Sequence, residues 1–149
     1  MPKKHLLPHA LEGKTTQEAY SRWLSRKAAA HVKRDRLRGH LCSNSTYKDL
    51  IHHAVIECGG NDFYTGESLD WSLLSTYCNE KSKAGRHKYK AGFSLLPTVD
   101  HYEASSKEAS FRICAWRTND AKNDLNETDF IDLCKRVVAH AEKLQGGKV

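Results

Sequence analysis

The stretch TVDHYEASSKEASFRICAWRTNDAKND, residues 98–124, carries the most informative local pattern of the chain. An apolar run, FSLLPTVDH (93–101), begins before this stretch and overlaps its first residues. Pro97 interrupts the run, a pattern typical of an edge strand or of two extended pieces. In FRICAW (111–116) the side chains alternate in character with the two-residue period of a strand. A short helix is expected around residues 118–124. The order predicted is therefore strand, loop, strand, helix.

The polar residues at the ends of these elements predict a site for a divalent cation with a histidine beside it. A hairpin packed on a helix brings Asp100 close to the helix face that carries Asn119. Carboxylate and amide oxygens suit a single Mg²⁺ that keeps several waters and binds a substrate phosphate. Adjacent strand residues point to opposite faces, so His101 is expected to face a substrate rather than to share the role of Asp100. A neutral histidine is the natural base for activating water near pH 7.

With these residues in order, the stretch resembles the HNH endonuclease family, whose core is the ββα-metal fold. Asp100-His101 matches the family's Asp-His pair, and Asn119-Asp120-Ala121-Lys122 matches its Asn-x-x-Lys at the helix. Upstream, YTGESLDW (64–71) is similar to the Thr-Gly-x-x-Leu turn that often precedes the core. The resemblance covers roughly residues 93–125 for the core and about 55–138 in all.

The resemblance implies a role for each matching residue. His101 would be the general base, and Asp100 and Asn119 would bind one divalent cation, Mg²⁺ or Mn²⁺ or another. Asn123, one helical turn after Asn119, would be a substitute or an auxiliary ligand. Lys122 would contact phosphate or brace the loop. Two arginines that flank the stretch would hold the scissile strand or be ordinary surface charge: Arg112 and Arg117.

The chain departs from the family at two places. The family's middle Asn falls on Ser110, whose side chain reaches less far, so another group is needed to orient the histidine. Many relatives hold a structural zinc with two Cys-x-x-Cys pairs. Here the second pair falls on Ala115 and Thr118, and Tyr64 lies near the place of the first. No structural zinc is therefore expected.

Charge is distributed unevenly. The 149 residues contain 24 Lys+Arg and 18 Asp+Glu, a net charge of +6, and residues 1–40 alone hold 10 basic and 3 acidic side chains. Two basic clusters predict salt-dependent binding to nucleic acid, although either cluster alone is equally typical of a solvated face. The candidates are Arg22, Arg26, Lys27, Lys33 and Arg34 in the first cluster, and Lys83, Arg86 and Lys88 in the second. Neither cluster has a strong apolar face, which argues against a membrane surface.

The rest of the pattern predicts an α+β domain that is mostly helical, with N-terminal and C-terminal helices packed around an HNH-like ββα core. We expect a single domain over 1–149. It comprises a basic helical extension (1–60), the core region (61–125) and a C-terminal helix (126–149).

The helices have recognisable ends and faces. Thr15 is predicted to cap the first helix in a capping box with Glu18, and Ser45 to cap the second, which Gly59-Gly60 ends. Helical spacing predicts the inner face of the first helix as Ala19, Tyr20, Trp23, Leu24, Ala28, His31 and Val32. The predicted inner face of the second helix is Leu50, Ile51, Ala54, Val55 and Cys58. Asn126 is predicted to cap the last helix. That helix repeats apolar residues at steps of four and three, which predicts a core stripe of Phe130, Cys134, Val137, Ala141 and Leu144.

Five cysteines at wide spacing, with no Cys-x-x-Cys pair, predict reduced thiols rather than a disulfide framework. The chain shows no apolar run of membrane-spanning length and no secretory signal at its start, which predicts a cytoplasmic protein.

Two functions remain open at this point. The first is a metal-dependent endonuclease that nicks or cuts DNA, with DNA expected in preference to RNA. The second is a catalytically weak ββα domain that acts as a DNA-binding module. One metal site makes one cut, so a double-strand break would require a homodimer or two successive events.

Overall fold

The computed structural model describes residues 4–75, 92–102 and 109–147, and this part of the chain is an α+β structure. Its helices are α1 (Gln17–Leu37), α2 (Asn44–Cys58), α3 (Trp116–Lys122) and α4 (Glu127–Gly146). Its strands are β1 (Pro97–His101) and β2 (Phe111–Ala115), and short 3₁₀ turns occupy His9–Leu11 and Trp71–Ser75. The mostly helical α+β prediction is confirmed. The predicted second basic cluster (Lys83, Arg86, Lys88) lies outside the described residues.

The first two helices begin at neighbouring residues of those predicted. Thr16, not Thr15, is the N-cap of α1, and its hydroxyl accepts a hydrogen bond from the Ala19 amide at 3.1 Å. Ser43, not Ser45, caps α2 and accepts from the amide of Thr46 at 3.2 Å. In each case a second hydroxyl residue lies within two positions, and the cap is the one whose backbone is extended. The end of α2 at Gly59, with a φ of 59°, is as predicted.

The core lies where α1 and α2 cover the sheet. All seven residues predicted for the inner face of α1 are buried: Ala19, Tyr20, Trp23, Leu24, Ala28, His31 and Val32. In α2, Ile51, Ala54 and Val55 are buried as expected, but Leu50 is 37% exposed and Cys58 is only partly buried. Tyr47 takes the core position instead, because its ring packs edge-on against Phe111 with centroids 5.2 Å apart.

Both edges of the two-stranded antiparallel sheet are covered. On the outer side of β1, α1 donates from Trp23 Nε1 to the carbonyl of Pro97 (3.3 Å) and from His31 Nε2 to the carbonyl of Val99 (3.2 Å). On the outer side of β2, the Phe63 amide donates to the carbonyl of Ile113 at 2.9 Å. Unpaired strand edges favour aggregation, and these contacts remove that liability. They also place α1 directly beside the predicted Asp-His pair.

Asp62 ties the turn before the sheet to the start of α3. Its carboxylate is buried and accepts from the amides of Tyr64 (2.7 Å) and Thr65 (3.0 Å) through Oδ1. Through Oδ2 it accepts from the Ala115 amide and the Thr118 hydroxyl, each at 2.8 Å. Ala115 is the residue that precedes α3 and has no capping side chain of its own, so Asp62 satisfies the end of β2 and steadies the helix that follows.

The core stripe predicted for the last helix is wrong. Asn126 caps α4 as expected, but no residue of α4 is buried, and Val137 and Leu144 are 61% and 56% exposed. Within the described part of the chain, the beginning of the helix is tied to the rest of the domain through the ring contact of Phe130 with Tyr64 and the hydrogen bond from Tyr102 to Glu127. Apolar spacing of four and three reports an amphipathic helix, and it does not report whether a partner covers the apolar face.

Two further expectations can be compared with the described residues. Cys42, Cys58, Cys114 and Cys134 are free thiols, in agreement with the prediction, and Cys78 lies outside the described part. None of the described helices combines the length and the apolar character needed to span a bilayer.

Candidate active site

A cleft of about 390 Å³ opens between α1 and α3, with β1 at its base. Five residues predicted from the motif line it together: Asp100, His101, Asn119, Lys122 and Asn123. The wall from α1 and the residue that follows it adds His31, Arg34 and Arg38, and the far wall adds Asp120 and Asp124. We call this space the α1–α3 cleft. The succession of strand, strand and helix thus gathers the motif residues around one concave surface.

Asp100 lies at the base of the cleft and is 3% exposed. Lys122 Nζ lies 3.3 Å from its Oδ1 and 3.2 Å from its Oδ2, and the Tyr64 hydroxyl donates to the same carboxylate. Burial, followed by the bond to Asp100, raises the pKa of Tyr64, which keeps the phenol protonated as a donor. Lys122 is itself 1% exposed, so the two side chains form a buried ion pair.

His101 points to the opposite side of the strand, as alternation predicts. Its Nε2 lies 3.0 Å from Oδ2 of Asp35 in α1, and its ring packs edge-on against Phe111 with centroids 5.2 Å apart. The His31 ring lies 6.0 Å away. Among the described residues no group forms a hydrogen bond with the buried Nδ1 of His101. The sequence required some group other than Ser110 to orient this histidine, and Asp35 is in contact with it.

The donor set of the cleft fits a hard divalent cation by its chemistry. Asp100 offers carboxylate oxygens, and Asn119 and Asn123 offer amide oxygens, the ligands that Mg²⁺ prefers. Over residues 4–75, 92–102 and 109–147, no three His, Cys, Asp or Glu side chains are grouped to hold a metal ion. Because Lys122 already lies within 3.3 Å of both oxygens of Asp100, a cation and the ammonium group would compete for that carboxylate.

Asn123 has an unusual backbone. It ends α3 with a φ of 51° and a ψ of −126°, and its amide donates to the carbonyl of Asn119 at 2.8 Å. Among the described residues it is the one non-glycine residue with positive φ. Such conformations cost about 1–3 kcal/mol with a side chain present and concentrate at functional sites. This residue is one of those that line the α1–α3 cleft.

We expect Asn123→Ala to unfold at lower urea concentration than Asn123→Gly, because only glycine adopts this backbone without strain. The difference in the free energy of unfolding should be about 1–3 kcal/mol. Urea titrations of both variants beside the wild type measure it. Equal stability of the two variants would show that the backbone at residue 123 is not strained.

Arg112 and Arg117 lie away from the cleft. The guanidinium of Arg112 lies over the rings of Phe63 and Tyr102, 5.0 and 4.4 Å from their centroids. Arg117 forms a salt bridge with Glu67, which raises the pKa of the arginine. Both side chains therefore have partners of their own, and neither lines the α1–α3 cleft.

A second groove, of about 460 Å³, continues from the cleft along α1 and past Trp116. Arg26, Lys27 and Arg34 of the predicted basic cluster line it, whereas Arg22 and Lys33 are exposed and do not. No salt bridge joins these three cations to a carboxylate in the part of the chain that the structure describes. Burial, reinforced by the neighbouring Arg26 and Arg34, lowers the pKa of Lys27 to about 8, and its ammonium donates to the Thr98 hydroxyl at 3.0 Å. We call this the α1 groove.

Sequence reasoning missed three residues of the site. Asp35 is the one acidic residue between Arg22 and Arg38 in a basic helix, and that exception is the available signal. Tyr64 was noted only as a non-cysteine at the place of a zinc ligand, and Asp62, one of the turn's first residues, was not considered. Each acts through a contact with β1, β2 or α3, and local pattern does not reveal such contacts.

Comparison of the chain with protein-family models, with curated proteins and with solved structures gave no match.

Proposed function

We propose that this protein is a divalent-metal-dependent endonuclease of the HNH type that hydrolyses phosphodiester bonds in DNA. The observation that carries the proposal is the α1–α3 cleft, where a carboxylate, a histidine and two amides from a ββα arrangement face arginines of the first helix. Anionic substrates are attracted to such arginines, and the histidine supplies a base beside them.

In the proposed reaction His101 takes a proton from a water molecule. The water oxygen forms a bond to phosphorus, and the bond from phosphorus to the 3′ oxygen breaks. The leaving oxygen takes a proton from solvent, and the products are a 5′-phosphate and a 3′-hydroxyl. A divalent cation bound by Asp100, Asn119 and Asn123 would offset the negative charge that develops on the phosphate and the leaving oxygen. Arg34 and Arg38 would hold the phosphate at the cleft mouth.

The α1 groove provides a path for the strand beyond the cut. It is continuous with the cleft, since His31, Arg34, Val99, Asn119 and Asp120 line both. Its cations have no acidic partner within the described residues, so a phosphate can bind them without breaking a salt bridge. Phosphate contacts of this kind give affinity without sequence preference.

Replacing Arg26 and Arg34 together with Gln should weaken DNA binding and reduce its salt dependence. Each lost phosphate contact lowers the slope of log K against log salt by about 0.9, so the slope should fall by about 2. Fluorescence anisotropy with a labelled duplex at several salt concentrations measures it. A matched control, Lys135→Gln with Lys143→Gln, removes the same charge from α4 and should leave the slope unchanged. Equal slopes in both double variants would exclude the α1 groove as the DNA path.

Nicking of supercoiled plasmid tests the function directly. We expect nicking in Mg²⁺ or Mn²⁺ and none in EDTA. Asn119→Ala should lose it, and Asn44→Ala, an exposed asparagine of α2 remote from the cleft, should keep it. Nicking in all preparations would indicate a contaminant. A plasmid that is bound but uncut in every divalent ion would refute the enzyme.

One observation favours a second function, a DNA-binding module without catalysis. The Lys122 ammonium already neutralises Asp100, so the base of the cleft is electrostatically satisfied without a cation. In that case the arginines of α1 would still bind phosphate, and the ion pair would serve stability alone. Absence of any change in thermal stability on adding divalent ions, together with an uncut plasmid, would favour this function.

A further inference from the structure

Asp35 is a buried carboxylate at the centre of three contacts. It is fully buried in α1 and accepts from the Tyr47 hydroxyl of α2 and from Arg38 Nη1 at 3.1 Å, besides its contact with His101. Burial alone would raise the pKa of Asp35. The bonds from Tyr47 and His101 and the charge of Arg38 hold it below its usual value instead. The group facing His101 is therefore a carboxylate, which can only accept hydrogen bonds.

That contact determines which nitrogen of His101 carries the proton. An imidazole 3.0 Å from a carboxylate must donate, so Nε2 is protonated. In the neutral ring Nδ1 then bears the lone pair, and Nδ1 is the buried atom for which the described residues offer no partner. Phe111 and His31 pack against the ring, and the His31 Nε2 is already used by the carbonyl of Val99. The ring is thus fixed in tautomer and in orientation.

From this geometry we infer that Asp35 is the positioning residue of the site. It holds His101 in the Nε2–H tautomer and leaves the lone pair on the buried Nδ1, which would take the proton of a water molecule admitted beside it. The inference rests on the proposed nuclease function and extends it to the first helix. Asp35 also stabilises the imidazolium that forms when the water proton is transferred, as a carboxylate does behind a catalytic histidine. It does not touch the substrate.

The residues around the ring support the same assignment. Besides Asp35, the described titratable groups in contact with the ring or with Asp35 include His31 of α1, Arg38 beyond the end of α1 and Tyr47 of α2, the last two through Asp35. Burial, followed by the charge of Arg34, lowers the pKa of His31 to about 4, so that ring is neutral at pH 7. The Nε2 of His31 already donates to the carbonyl of Val99 in β1. In His101, by contrast, Nδ1 has no hydrogen-bond partner among the described residues.

Nitrogen NMR of protein labelled with ¹⁵N-histidine tests the tautomer without any enzyme assay. In the wild-type protein, the neutral form of the His101 ring should show a protonated Nε2 and an unprotonated Nδ1. Asp35→Asn replaces an acceptor with a side chain that also donates, which favours the other tautomer. Cleavage should then fall by up to about 10⁴-fold with DNA affinity retained. Tyr47→Phe removes a different bond to Asp35, so it should keep the tautomer and most of the activity.

The outcomes separate the two proposals. The role of Asp35 is overturned if the neutral His101 ring of the wild type carries its proton on Nδ1. It is also overturned if Asp35→Asn keeps both the tautomer and the cleavage rate. Neither result contradicts the proposed nuclease function. If Asp35→Asn fails to fold, the wild-type spectrum alone decides the tautomer. A wild type with the expected tautomer that cuts no DNA overturns the nuclease and, with it, the catalytic use of Nδ1.

Discussion

His101→Ala is expected to abolish metal-dependent nicking of plasmid DNA while DNA affinity changes little. A general base contributes about 10²–10⁴-fold to a reaction rate, so the nicking rate of the variant should be at least about 10²-fold lower than that of the wild type. The arginines of α1 are untouched by the substitution, and they supply the proposed phosphate contacts. Single-turnover nicking and anisotropy with the same duplex separate the two effects.

Removal of this ring has a structural cost that the experiment must control. The buried Asp35 carboxylate would keep its bonds from Tyr47 and Arg38 but lose the one from His101, and a hydrogen bond to a charged group is worth about 1.5–3 kcal/mol. His101→Gln places an amide near the position of Nε2, where it can donate to Asp35, but it is no base, so the variant should remain folded and inactive. His53→Ala removes an exposed histidine of α2 and should behave as the wild type. An active, folded His101→Gln protein would refute His101 as the base.

The local elements were predictable because their causes are local. Neighbouring residues determine the two-residue period of FRICAW, the interruption at Pro97 and the helix that follows. The predicted order of strand, strand and helix is present in the structure. The buried face of α1 was predictable for the same reason, since apolar residues at helical spacing have no other low-energy position. Cap positions differed by one or two residues where two hydroxyl side chains competed.

The partners of the charged residues were not predictable. Asp35 and His101 are 66 positions apart, and Asp100 and Lys122 are 22 apart, so each pair exists only after the helices pack on the sheet. A lysine or aspartate is normally solvated, and local pattern gives no reason to bury it. The exposed face of α4 is the converse case, because the pattern there is real but the described structure gives it no cover. The packing of distant parts of the chain, and not local periodicity, determines the two pairs and the exposure of α4.

Lys122→Met is expected to lower the free energy of unfolding by about 3–5 kcal/mol, because it leaves the buried Asp100 carboxylate without its counter-ion. The Tyr64 hydroxyl remains as a donor, but a neutral donor offsets only part of the lost interaction. Urea denaturation in EDTA measures the loss. Lys135→Met removes an exposed ammonium from α4 and should change stability by no more than about 0.5 kcal/mol. The double variant Asp100→Asn with Lys122→Met should recover much of the loss, since no unpaired charge then remains.

The same variant distinguishes a cation site from a purely structural ion pair. If a divalent cation and the Lys122 ammonium are alternatives at Asp100, removal of the ammonium should strengthen binding of Mg²⁺ or Mn²⁺. A ligand that binds only the folded state stabilises it by RT ln(1 + [L]/Kd), so the added metal should raise the melting temperature more in Lys122→Met than in the wild type. Asn119→Ala in the Lys122→Met background should reduce that gain, because an amide ligand is lost. A melting temperature of Lys122→Met that does not respond to either metal would show that Asp100 is no cation ligand and that its ion pair with Lys122 is purely structural.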